Sequence, residues 1–137
     1  MTAKEYLMQY REAYDAISDK LDEIRRLLAM ATKMNQTISS DRVSASHNQD
    51  KLSSAVARIA DMKSEIDDEM KYLIEMKRIV LSTINSIPNK RQRRVLRLRY
   101  INGMRWEEIA VKIERDYRWV HRLHGKALIE VEKIILK

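Results

Sequence analysis

From Leu7 to Ala31 apolar residues recur at alternating intervals of three and four: Leu7, Tyr10, Tyr14, Ile17, Leu21, Ile24, Leu28 and Ala31. That period belongs to an α-helix that lays one stripe against a partner helix, because 3.5 residues per repeat keeps the stripe on one face. The spacing predicts a helix over 2–34, opened by Thr2 and Glu5 at capping-box separation. A second stripe runs through Leu52, Ile59, Ile66, Leu73, Val80 and Ile87, with a companion row of Ala55, Met62, Glu69, Met76 and Thr83. It predicts a helix over 51–86, flawed at Glu69, where a polar residue in the seam either sets the register or sits at its edge. Each helix would be about 45–50 Å long at 1.5 Å per residue.

Between them, residues 35–50 are rich in Ser, Thr, Asn and Asp, whose side chains compete with the helix for backbone hydrogen bonds. The expectation is a loop over about 35–50, with Asn48 or Asp50 capping the second helix. Two seams joined by a loop give an antiparallel hairpin, and the same seams could pair between chains in a homodimer. The spacing does not choose between these.

Gly 2 and Pro 1 leave too few breakers for an all-β or Rossmann-type fold. With 45% apolar residues the chain is too hydrophobic to stay disordered. The lone Pro88 is informative, because it steers Ile87 away from helical geometry and suits the first turn of a new helix. Three shorter helices are expected beyond it, at about 89–101, 105–113 and 117–136. Gly103 supplies a left-handed end to the first, Glu107 and Glu108 complement the dipole of the second, and Asp116 caps the third. The expected fold is all-α: a coiled-coil-like hairpin over 1–86, then a three-helix helix-turn-helix module over 87–137.

The charge separates at the same place. Residues 1–86 carry 13 Lys/Arg and 14 Asp/Glu, whereas 87–137 carry 14 Lys/Arg and 6 Asp/Glu, a net of +8. A basic module beside a balanced one points to a polyanion partner for the former. In the segment Trp106-Glu107-Glu108-Ile109-Ala110-Val111-Lys112-Ile113, then Glu114-Arg115-Asp116, then Tyr117 onward, a short helix, a turn and a second helix form a helix-turn-helix pattern. Val120, Leu123, Ala127, Leu128 and Val131 make the inward stripe of the last helix. Tyr117, Arg118, His121, Arg122, Gly125 and Lys126 are left facing out. Arg118 and Arg122 can each fork two hydrogen bonds onto guanine, and Tyr117 and His121 complete the expected base-reading set. Arg91, Arg94 and Arg97 on the preceding helix, with Arg105 and Lys126, are the expected phosphate contacts.

Val95-Leu96-Arg97-Leu98-Arg99-Tyr100, Trp106-Glu107-Glu108-Ile109-Ala110, Val120 and Lys126-Ala127-Leu128 resemble the promoter −35-binding region (region 4) of bacterial sigma factors. The helical first half followed by this region resembles small phage-encoded transcriptional regulators of Gram-positive bacteria. The resemblance implies a helix-turn-helix docked in the major groove of double-stranded DNA, with Arg118, His121 and Arg122 at base-reading positions. It raises contact with host RNA polymerase, and it implies a cytoplasmic, nucleoid-associated place in a bacterial host. The turn position that sigma factors fill with glycine is Glu114 here, which must take a left-handed conformation or change the turn. Residues 1–86 lack an aromatic, basic strand-melting helix, so a regulator using the module alone is expected rather than a complete sigma factor.

Other chemistries find little footing. His121 and His124 are three apart but stand without Cys or clustered carboxylates, so no metal is expected. No Ser/His/Asp set or Gly-rich phosphate loop suggests an enzyme, a cofactor or a small-molecule substrate. Trp106 and Trp119 are expected to pack against neighbouring helices. The longest apolar run, Leu27–Ala31, is too short to span a bilayer, and the first residues show no secretory h-region. The alternative to a DNA-binding regulator is a helical adaptor that binds polymerase or another phage protein without reading bases.

Overall fold

A computed structural model describes residues 1–40 and 45–137. The described residues are helical and contain no strand. Helix α1 is Ala3–Ser40, α2 Ala45–Asn85, α3 Lys90–Leu96 continued by a π-helical turn over Arg97–Ile101, α4 Trp106–Lys112 and α5 Tyr117–Ile135. No described helix is long and apolar enough to cross a membrane.

The expected loop over 35–50 is corrected. Helix α1 runs on to Ser40 and α2 begins at Ala45, so Asn48 and Asp50 lie inside a helix and cap nothing; residues 41–44 lie outside the described part. The preference of Ser, Thr and Asn for turns amounts to tenths of a kcal/mol per residue. Extending a helix already nucleated adds a hydrogen bond for each residue ordered, which outweighs so weak a bias.

The chain forms two compact units, Asp15–Lys71 and Met1–Tyr14 with Tyr72–Lys137. In the first, α1 and α2 run antiparallel. Ile24, Ile59 and Met62 form its core cluster, with Leu27 and Ile66 packed alongside. Lys20 of α1 pairs with Glu69 and lies 3.3 Å from Glu65 of α2. The flaw in the α2 seam is thus met by a cation from the opposite helix, and the hydrogen bond to Glu69 holds the Lys20 ammonium above its ordinary pKa.

The two rows read on α2 do face inward. Ala55, Ile59, Met62, Leu73, Val80 and Thr83 are buried, and Leu52, Ile66, Glu69 and Met76 are half-buried. The α1 seam is turned from expectation. Leu7, Tyr10, Ile17 and Ile24 are buried, but Tyr14, Leu21 and Leu28 are exposed, and Lys20 and Leu27 take part in the contact instead. A helix meeting one neighbour buries one narrow stripe. Here that stripe is centred between the Ile17/Ile24 row and the Lys20/Leu27 row, which leaves the other half of the seam outside.

In the other unit the Thr2 hydroxyl accepts from the Glu5 amide at 3.1 Å, opening α1 as expected. The Tyr6 hydroxyl meets that of Thr83 at 2.8 Å. Ile87-Pro88-Asn89 separates α2 from α3, and the Asn89 side chain caps α3 by accepting from the Gln92 amide at 3.0 Å. Arg93 closes the same corner, donating to the carbonyls of Ile87 and Pro88 at 2.6 and 2.9 Å. The π-helical turn is capped by Asn102 and followed by Gly103, whose φ of 70° is the left-handed conformation expected there. Arg11 of α1 donates to the Ile101 carbonyl at 3.2 Å, and its guanidinium occupies the space that a Cβ on Gly103 would need. Helices α3, α4 and α5 close round Val95, Leu98, Ile109 and Val120.

Candidate nucleic-acid interface

The turn between α4 and α5 decides how α5 is presented. Glu114 has φ 56°, so this glutamate does adopt the left-handed conformation. Its amide donates to Val111 and the Arg115 amide to Ala110, which satisfies the last carbonyls of α4 in a Schellman arrangement. Asp116 occupies the N-cap position of α5 as expected, although its side chain makes no capping hydrogen bond.

On α5, Val120, Ala127 and Val131 are fully buried and Leu123 and Leu128 half-buried, so the inward stripe is as read. Arg118 and Arg122, one turn apart, form an exposed ridge on the other side. At about 100° per residue, Tyr117 and His121 lie to one side of that ridge and Trp119 to the other.

Both sides are aromatic and basic. On one, the Trp106 ring is 4.8 Å from that of His121 and 4.4 Å from that of His124, the Arg99 guanidinium lies 4.7 Å over Trp106, and Tyr117 meets His121 edge-on at 4.4 Å. On the other, the Arg115 guanidinium lies 4.9 Å over Trp119. Arg91, Arg94, Arg115 and Trp119 surround a concavity of about 140 Å³ floored by Val95, Ile113 and Leu123. A neighbouring hollow of about 200 Å³ is lined by Trp119, Leu123, Arg122 and Lys126. Among the described residues, no ion pair neutralises Arg91, Arg94, Arg115, Arg118, Arg122 or Lys126.

The residues expected to act together are therefore brought together only in part. Arg118, Arg122, Lys126, Arg91 and Arg94 share one exposed surface with Tyr117 at its margin. His121, expected to face outward, is half-buried between Trp106 and Tyr117, with Nε2 enclosed and without a hydrogen-bond partner. Trp106 arrives from α4 and covers the imidazole, which spacing along α5 alone does not reveal. Arg97 is half-buried and Arg105 is paired with Glu108 through a 2.8 Å contact; neither lines the two concavities. Arg99 is committed to the Met104 carbonyl at 3.0 Å. Trp119 is half-buried and packs against the core cluster as expected, and its remaining exposed edge joins Arg115 on this surface. The signal for Arg115 was its place in the turn, beside the first residues of α5.

Residues 34–132 match the family described as "Protein of unknown function (DUF1492)". The chain belongs to DUF1492. No curated protein and no solved structure matches it. The span shared with DUF1492 contains α3, α4 and the exposed ridge of α5. It also contains the buried pair on which that ridge is mounted, Tyr100 and His124, joined at 2.7 Å. Burial, reinforced by the nearby charges of His121, Lys4 and Arg99, lowers the His124 pKa from 6.5 to about 4, and burial raises that of Tyr100 to about 12. Near neutral pH both groups are uncharged. The phenol and the neutral imidazole share this hydrogen bond, its direction set by which ring nitrogen of His124 carries the proton.

Proposed function

We propose that this chain is a sequence-specific, double-stranded DNA-binding transcription regulator of phage genes, with α4 and α5 acting as a sigma region 4-like helix-turn-helix. The observation that carries the reading is the exposed, un-neutralised ridge of Arg118 and Arg122 between two basic, aromatic edges. A helix lying in the major groove has base edges beneath it and a phosphate strand on each side. Arg118 and Arg122 suit the first. Arg91, Arg94, Arg115 and Lys126 suit one flanking strand, with Trp119 able to pack on a sugar; Tyr117 suits the other. The net charge of +8 over residues 87–137 and the likeness to region 4 support the same reading.

The decisive experiment selects bound duplexes from a random DNA pool, then measures anisotropy on the enriched duplex and on a scrambled one at low and moderate salt. Preference for the enriched duplex with a steep salt dependence is expected. No duplex binding at low salt rejects the reading. Capture of host RNA polymerase that survives replacement of both Arg118 and Arg122 would favour the adaptor instead.

A further inference from the structure

The Asp15–Lys71 unit has two different sides. Its antiparallel register, set by Lys20 against Glu65 and Glu69 and by Ile24 with Ile59 and Met62, brings Leu28 level with Val56 and Leu21 level with Lys63. On α1, Leu21 and Leu28 are seven residues apart; on α2, Val56, Lys63 and Met70 follow at the same interval. Counted at about 100° per residue from the buried rows, both sets fall on one flank of the hairpin, roughly 60–110° from its contact line. All four apolar members are exposed: Leu21 41%, Leu28 48%, Val56 55% and Met70 39%. The opposite flank carries Lys20, Glu65 and Arg58 linked in a chain of ion pairs, with the exposed Met30 further along α1.

We propose that the Leu21/Leu28/Val56/Met70 flank is a homodimer interface, on which two copies of the chain form a four-helix bundle. Two observations select a second copy as the occupant. The hairpin's core, Ile24, Ile59 and Met62 with Leu27 and Ile66 alongside and Ile17 and Ala55 also buried, is a single narrow seam, and a second seam would add burial that this one leaves unused. A heptad-spaced second stripe is what a four-helix bundle encloses. The flank also carries both charges, with exposed Lys63 within the α2 row and exposed Arg25, Asp22 and Asp67 beside the stripe. A surface that meets itself must carry both signs, whereas one built for an acidic or a basic partner carries one.

The test uses the full chain without DNA, so its outcome is independent of DNA binding. Sedimentation equilibrium from 1 to 100 µM should give twice the 16.3 kDa chain mass, and the melting temperature should rise with concentration. Leu21→Glu with Leu28→Glu, at positions already exposed, should weaken association at least tenfold. Arg58→Ala on the charged flank should leave it unchanged. A wild-type mass of one chain at 100 µM with a concentration-independent melt overturns the proposal, whatever the variants do. So does a dimer that survives both glutamates.

Discussion

The Tyr100 hydroxyl lies 2.7 Å from Nε2 of His124, and this buried neutral pair joins the π-helical turn after α3 to the middle of α5. An unfolded imidazole takes up a proton below pH 6.5, whereas the folded His124 resists protonation until about pH 4. The unfolded state therefore binds more protons between those values, and the native state loses stability as pH falls through that window. Above pH 6.5 the group imposes no penalty. The full loss from this site is on the order of 2–3 kcal/mol. His124→Gln keeps a hydrogen-bond partner for Tyr100 without the titration. Urea unfolding at pH 7.5 and 5.0 should show a smaller pH-dependent loss for that variant than for the wild type. Equal losses would contradict the assignment.

Arg118 and Arg122 are expected to carry base preference. Replacing either with Ala should cost about 1–3 kcal/mol on the preferred duplex and much less on a scrambled one, narrowing the ratio between them. Arg94→Ala should instead weaken both duplexes alike and reduce the salt slope by about one. Anisotropy titrations over a series of salt concentrations separate the two behaviours. An Arg118 variant that loses affinity uniformly would reassign that side chain to the phosphates.

Much of this architecture is legible from spacing because helix periodicity is a local property. Both rows on α2, the inward stripe of α5 and the break at Pro88 follow from residues within a few turns of one another. What spacing cannot supply is the direction from which a distant element arrives. Nothing in the α1 seam says that its one neighbour meets it through Lys20 and Leu27 and leaves Leu21 and Leu28 outside. Nothing along α5 says that Trp106 covers His121. The Ser-rich stretch differs from expectation for the opposite reason, since its local propensity is weaker than the propagation of a long helix. Arg91 and Arg94 could be named from charge, but their convergence with Arg115 and Trp119 depends on how α3 and α5 cross.

Glu114 makes the α4–α5 turn at a cost. A non-glycine residue at φ 56° places its Cβ against its own backbone, and the exposed side chain makes no hydrogen bond or ion pair among the described residues to offset this. Glu114→Gly should raise stability by about 1 kcal/mol, less than the full strain because glycine loses more chain entropy on folding. Glu114→Val, β-branched at the same φ, should lower it. Thermal melts of the three proteins should rank Gly, Glu, Val from highest to lowest. A glycine variant that melts below the wild type would mean that the carboxylate contributes something the turn geometry does not account for.

Lys20 and Glu69 form a polar pair within a seam that is otherwise apolar, and the second carboxylate oxygen of Glu69 is enclosed without a partner. Removing Lys20 leaves the Glu69 charge half-enclosed and unanswered, and removing Glu69 leaves Lys20 with Glu65 alone, while removing both leaves a surface that can pack as its neighbours do. Lys20→Met alone and Glu69→Leu alone should each lower the urea midpoint. The double substitution should recover to the wild-type value or beyond it, a coupling that independent sites would not show. If the charged pair also selects one register, the double variant should melt less cooperatively even where its midpoint is higher, because an uninterrupted apolar seam can slide by a heptad. A double variant no more stable than the weaker single one would show that the two side chains act separately.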